Sequence, residues 1–193
     1  MPSEAYRLTP AQRRYLGCKR VGDIILSLAL LLALAVPMAC IALFIKLSSP
    51  GDPILFRQAR VGRDERTFTL VKFRSMDAAG VRITTLGRFL RTTSLDELPQ
   101  LFLVLTGEMS LIGPRPLIPQ EEDIRLLRRV AGVYQLRPGL SGLAQINGRD
   151  KVKDAAKAAY DREYLENVSF RLDWMIFWAT IGKVLRRADI EEK

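Results

Sequence analysis

An uninterrupted uncharged run of 22 residues, IILSLALLLALAVPMACIALFI, lies between Asp23 and Lys46. As one straight helix it would be about 33 Å long, enough to span a bilayer, and it suits the core of a small soluble domain poorly. A secretory signal peptide fits less well, because the run exceeds an h-region and no small-residue cleavage site follows. Pro37 sits near the middle, where its missing N–H and its ring disturb the helix, so a kink between Ala33 and Pro37 is expected. Both flanks are basic, with Arg13, Arg14, Lys19 and Arg20 before the run and Lys46, Arg57, Arg60, Arg63 and Arg66 after it. The positive-inside tendency assigns both ends to the cytoplasm. The residues alone leave two readings open, a kinked span and a hairpin that enters and leaves on one face.

The 193 residues suffice for one domain with a modest core beyond that segment. A formal charge of +9, from 30 Lys and Arg against 21 Asp and Glu, suits an anionic partner without choosing among phosphates, lipid headgroups and nucleic acid. There is no histidine. That removes Ser-His-Asp and Cys-His catalysis and imidazole acid/base chemistry, leaving carboxylates, Lys, Tyr, Cys or a bound metal. Cys18 and Cys40 form neither a disulfide framework nor a Cys-x-x-Cys site, which fits a reducing cytoplasmic setting.

After the turn-rich SSPGDP at 48–53, ILFRQ and TFTLVKFRSM flank a Gly-containing loop and read as a β-hairpin, with Lys72 and Arg74 on one face. Residues 84–105 read as helix in two pieces, broken at SLDELP. A short charged helix is expected near 120–131, and helix again from about 152 to 187. Within that last segment RLDWMIFWATIGKVLRR has a broad apolar face with two tryptophans and a basic end, suited either to a membrane surface or to core packing.

In Ser94-Leu95-Asp96-Glu97 the spacing matches a capping box with Ser94 as N-cap. Pro99 would then fall inside the helix, so Asp96 is the better cap, with Glu97 in the first turn and the helix dipole keeping Asp96 ionised. Capping alone would explain an Asp there. Three arginines in turn-forming settings add a second reason: Gly113-Pro114-Arg115-Pro116, Arg137-Pro138-Gly139 as a type II turn, and Asn147-Gly148-Arg149 as a type I′ turn. A guanidinium on a rigid turn grips phosphate at low entropic cost. Arg91, Arg115, Arg137, Arg149 and Lys72, with Mg²⁺ on Asp96 or Glu97, would let a carboxylate face a phosphate. No Walker A or dinucleotide loop is present, and nothing interleaves basic and aromatic residues as a nucleic-acid surface does.

RTTSLDELPQLFLVLTGEMSLIGPRP (91–116), KFRSM (72–76), RPGLSGLAQINGR (137–149) and YDREYLENVSFRLD (160–173) resemble the monotopic phosphoglycosyl transferases, the bacterial sugar transferases. The resemblance implies transfer of a phospho-sugar from a UDP-sugar to a polyprenyl (undecaprenyl) phosphate at the cytoplasmic face of the bacterial inner membrane, releasing UMP. It makes Asp96 the nucleophile that forms a covalent phospho-sugar intermediate. Glu97 becomes a helper that binds Mg²⁺ or accepts the lipid's proton. Lys72, Arg91, Arg115 and Arg149 become phosphate holders, and Arg137 matches a family arginine. It also implies a re-entrant helix broken at a Ser-Pro pair, here Val36-Pro37, so that the break rests on Pro37, with Ser27 too distant to substitute.

The expected fold class is α/β and mostly helical: a re-entrant membrane helix in 1–47 joined to a compact cytoplasmic catalytic domain in 48–193 with interfacial amphipathic helices. The expected partners are UDP-sugar, polyprenyl phosphate and membrane lipids, with no nucleic acid and a homodimer left open. The rival reading is a non-enzymatic membrane-anchored adaptor binding anionic lipid or nucleic acid.

Overall fold

The computed structural model describes residues 6–77, 81–148 and 153–186, with the side chains of the last two residues left out. Helix α1 (Pro10–Ala33) starts at a capping box in which Thr9 and Gln12 satisfy each other's backbone N–H groups, with Pro10 at the first position. It ends where α2 (Ala35–Ser48) begins, and the two axes differ by 61°. Neither helix alone is long and apolar enough to cross a membrane. Pro37 is the third residue of α2, where a missing N–H costs nothing, so the proline terminates α1 and starts α2 rather than kinking one helix. Ser27 bonds back to the carbonyl of Asp23 at 2.6 Å and takes no part in the break, as its distance predicts.

The expected hairpin forms from β1 (Leu55–Val61) and β2 (Thr67–Phe73), antiparallel, with Phe56 opposite Lys72. Helix α3 (Thr85–Thr92) follows, capped by Thr84 Oγ1, which accepts from the Gly87 N–H at 2.9 Å. A 3₁₀ turn over Leu95–Gln100 leads into α4 (Leu101–Thr106). The remaining elements are β3 (Ser110–Ile112), α5 (Glu122–Ala131), β4 (Gly139–Ser141), α6 (Leu143–Ile146), α7 (Asp154–Asn167) and α8 (Phe170–Arg186). Strands β3 and β4 pair in parallel. The single helix expected over 152–187 is two, broken at Val168 and Ser169.

Two predicted turns are not made. Gly139 has no positive φ and opens strand β4; it is glycine because a Cβ there would lie 2.1 Å from the Gly113 nitrogen, so its role is backbone proximity rather than a type II turn. Asn147 has φ of −103°, which a type I′ turn forbids, although Gly148 does sit at +132°.

The main core joins Ile112, Leu136, Leu143, Tyr164, Leu165, Val168 and Ile176, with Tyr15 and Leu16 of α1 against it. A second core of Ile45, Phe73 and Leu90 seats α2 on the hairpin and α3. The bent pair is therefore docked onto the domain along one side. Its other side is bare: Ile25, Leu28, Leu32, Val36, Phe44 and Leu47 are all exposed.

Candidate active site

The acidic pair is reached through a reversal that the sequence does not announce. Ser94 adopts a left-handed conformation (φ 57°) and turns the chain out of α3 into the 3₁₀ turn. Its hydroxyl makes no cap bond, and neither does Asp96 act as one; the cap assigned to Asp96 is thus corrected, since Asp96 is the second residue of a 3₁₀ turn that tolerates Pro99 within it. The turn's apolar side, Leu95 and Leu98, packs beside Phe73 and Leu90. Asp96 is driven inward by that packing and retains 5% of its surface.

Burial sets the electrostatics. It raises the Asp96 carboxyl, and the neighbouring Glu97 charge raises it further, to about 6, against the opposing pull of Lys72 and Arg91. The expectation that a helix terminus favours the charged form is corrected: burial and Glu97 oppose it, and at about 6 the carboxyl is still mostly ionised at pH 7. Lys72 is lowered, first by its own burial, while Asp96 works to raise it and Arg91 to lower it. Its ammonium also stands 5.4 Å from the centroid of the Phe56 ring.

Arg91 is aimed by a close backbone contact. A Cβ on Gly87 would fall 1.8 Å from the Ser75 carbonyl oxygen, so only glycine lets α3 lie on the end of β2. One turn later Arg91 Nε donates to Ser75 Oγ at 2.8 Å.

The wall beyond is basic. Arg60 donates to the Pro116 carbonyl at 2.9 Å and to Gln58 at 2.7 Å, and Val61 N–H donates to the Leu117 carbonyl at 2.8 Å, so β1 holds the Gly-Pro-Arg-Pro loop. Burial lowers the Arg60 guanidinium and the like charge of Arg115 lowers it further, with Glu121 and Glu97 opposing. The Arg115 carbonyl accepts from Arg128 at 2.7 Å, so prolines on both sides and a buried arginine behind fix this loop. The sequence reading missed Arg60, Ser75 and Arg128. Arg60 could have been found from the alternation of β1, which puts it on the same face as Gln58; Ser75 lay unremarked inside KFRSM.

Of the predicted phosphate holders, Lys72 and Arg91 face Asp96, and Arg115 joins through Arg60. Arg137 does not: its Nε donates to the Gly107 carbonyl at 2.8 Å, and its charged neighbours are Arg63, Arg20, Asp23 and Asp64. Arg149 lies outside the described residues. Among the described residues no three carboxylates or thiolates gather as a ready-made metal site. Asp96 and Glu97 supply two carboxylates whose mutual repulsion helps raise Asp96, and Mg²⁺ customarily takes one or two carboxylates with phosphate oxygens and water. The pair supplies oxygen ligands of the kind Mg²⁺ takes.

Beside Glu97 opens a groove of about 320 Å³ with mostly apolar walls, running between Leu30 and Leu34 at the α1–α2 break, Leu98 of the 3₁₀ turn, and Lys183 and Val184 of α8. It runs from Glu97 to the α1–α2 break.

The family model for bacterial sugar transferases matches residues 14–187. The chain is 40% identical over 184 residues to the UDP-glucose:undecaprenyl-phosphate glucose-1-phosphate transferase of Escherichia coli (strain K12), covering 86% of this chain and 39% of that protein. It is 42% identical to the undecaprenyl-phosphate glucose phosphotransferase of Komagataeibacter xylinus, covering 92% and 38%. It therefore spans about two-fifths of the length of these two relatives. With the uncharacterized sugar transferase EpsL of Bacillus subtilis (strain 168) it shares 38% identity over 90% of both chains. A match across nearly the whole chain, on the segments that build this site, shows that the protein belongs to the bacterial sugar transferase family.

Proposed function

We propose that the protein is a phosphoglycosyl transferase that moves a sugar-1-phosphate from a UDP-sugar to a polyprenyl phosphate, with UMP as the other product. The observation that carries the reading is Asp96: a buried carboxylate, still ionised at neutral pH, between Glu97 and the cations Lys72 and Arg91. The names of the full-length relatives, which specify UDP-glucose and undecaprenyl phosphate, support the substrate classes.

In this reading an Asp96 carboxylate oxygen attacks the phosphorus that bears the sugar. The bond from that phosphorus to the UMP oxygen breaks, and UMP leaves with the electron pair. An oxygen of the polyprenyl phosphate then attacks the same phosphorus, the aspartyl–phosphorus bond breaks, and Asp96 returns as carboxylate. Lys72, Arg91, Arg60 and Arg115 bind the phosphates and neutralise the charge that would otherwise repel an anionic nucleophile. Mg²⁺, held by Asp96 or Glu97, would supply further neutralisation of the diphosphate. The apolar groove beside Glu97 takes the first units of the polyprenyl chain from the bilayer side, and the bent helix pair enters and leaves the cytoplasmic leaflet without crossing it. Asp96→Asn preserves shape and removes the nucleophile, so UMP release from a UDP-sugar with polyprenyl phosphate should fall roughly 10⁴-fold or more. Full activity in that variant would sink the mechanism; binding of anionic lipid without any Mg²⁺-dependent turnover of the unmodified protein would favour the adaptor.

A further inference from the structure

A second and more polar cavity, of about 560 Å³, lies against the N-terminal half of α1. Two of its cations have carboxylate partners. Lys19 donates to Asp173 at 2.6 Å and sits 4.0 Å from Asp23, and Arg63 faces Asp64 at 3.5 Å. Arg13, Arg20 and Arg137 also line the cavity and give it a surplus of positive charge. Arg20 donates to the carbonyls of Val104 and Leu105, and Arg137 to that of Gly107, so the carbonyl end of α4 holds both guanidiniums in place. Those bonds use two of the five N–H donors of Arg20 and one of Arg137's. Burial lowers Arg137, and the like charges of Arg63 and Arg20 lower it further, with Asp23 and Asp64 opposing.

The cavity is not the candidate active site. Arg63 and Asp64 sit beyond the Thr67 end of the hairpin, whereas Lys72 is near the other end, about 17 Å along the strand. We propose that this cavity binds the phosphate of an anionic ligand, whether a lipid headgroup or a free phosphate ester, at a site separate from the acidic pair. On the reading that the bent helices lie in the bilayer, Arg20 stands about 6 Å along α1 from Ile24, the first residue of the apolar run, a distance comparable with the headgroup layer.

The test uses the full chain in neutral detergent micelles, read by thermal unfolding, with dihexanoyl phosphatidylglycerol, dihexanoyl phosphatidylcholine and inorganic phosphate as probes. Arg20 and Arg137 hold α4 and are left intact. A saturable rise in Tm of about 3–6 °C at ten times Kd is expected with an anionic probe and not with phosphatidylcholine. It should vanish in Arg13→Ala/Arg63→Ala and persist in Arg57→Ala/Arg88→Ala, two exposed arginines away from the cavity. A shift with phosphatidylglycerol alone assigns the site to a headgroup, and one with inorganic phosphate as well assigns it to phosphate esters generally. No saturable shift, one retained in Arg13→Ala/Arg63→Ala, or one lost equally in the control pair overturns the site. UMP release by Arg13→Ala/Arg63→Ala should stay within about twofold of the unmodified chain; a parallel loss would put the phosphate in the transfer reaction and overturn a separate site. Were the unmodified chain to release no UMP, the proposed function would fail while the Tm comparison still decided the cavity.

Discussion

On the proposed mechanism Asp96 must be ionised to attack, yet the fold makes ionisation harder. With its carboxyl at about 6, UMP release should climb with pH, falling about tenfold per unit well below 6 and levelling by about 7.5. A profile flat from pH 5 to 8 would show that Asp96 is not the titrating group. The same shift has the opposite sign for stability. A carboxyl whose folded value is above its ordinary 3.8 takes up protons more readily in the folded state. Its contribution is therefore fully present below pH 3.8 and lost as pH rises through about 6. At pH 7.5 the charged form costs up to about 3 kcal/mol, so Asp96→Asn should melt several degrees higher than the parent while releasing no UMP. A lower Tm for that variant would mean that Lys72 and Arg91 depend on the charge more than burial opposes it.

Two elements carry the membrane reading, and each can be checked separately. The α1–α2 pair bends by 61° at Leu34, between the end of one helix and a proline that suits the start of the next. Cysteines at positions 7 and 51, in a Cys18→Ser/Cys40→Ser background, should react with an impermeant thiol reagent from the same side of sealed vesicles; reaction from opposite sides would mean a crossing span. Helix α8 presents Phe170, Trp174, Phe177 and Trp178 outward, the rings of Trp174 and Trp178 meeting edge to face at 5.6 Å. Half-exposed aromatics in a row contribute little to the core and suit an interface. Trp174→Ala/Trp178→Ala should weaken vesicle binding roughly tenfold or more, with Tm in detergent little changed. A large drop in Tm with unchanged vesicle binding would return α8 to an ordinary packing role.

Among the described residues, two buried polar hubs hold the elements together. Asp173 accepts from Tyr15, Lys19 and Tyr164, each at 2.6 Å, and so ties α1 to α7 and α8. Asp23 accepts from Ser110 at 2.7 Å and fastens α1 to β3. The other hub is the buried pair Arg128–Asp161, which joins α5 to α7 while Arg128 also holds the Arg115 carbonyl. Burial already raises the Asp161 carboxyl against the pull of Arg128. Removing the arginine would strand that charge, so Arg128→Ala should cost about 3–5 kcal/mol in unfolding free energy. If the pair also positions the Arg115 loop, a partially stabilised Arg128→Ala/Asp161→Asn variant should regain Tm yet keep a raised KM for UDP-sugar; recovery of both would confine the pair to stability.

Local patterns alone determined much of the protein. The apolar run with its proline gave a broken helix, the alternation at 54–74 gave the hairpin, and Asp96, Glu97, Lys72 and Arg91 stood out as a carboxylate pair with cations. These are readable because periodicity, proline geometry and residue chemistry act within a few residues of one another. Tertiary structure decided the rest. Leu95 and Leu98 pull Asp96 inward and raise its carboxyl, which no cap rule foresees. Backbone contact between Gly113 and Gly139, rather than turn chemistry, explains a glycine after Pro138. Arg137 looked interchangeable with Arg115 in sequence, but packing sends one to the end of α4 and the other toward Arg60, because which cation meets which anion depends on contacts between residues far apart in the chain.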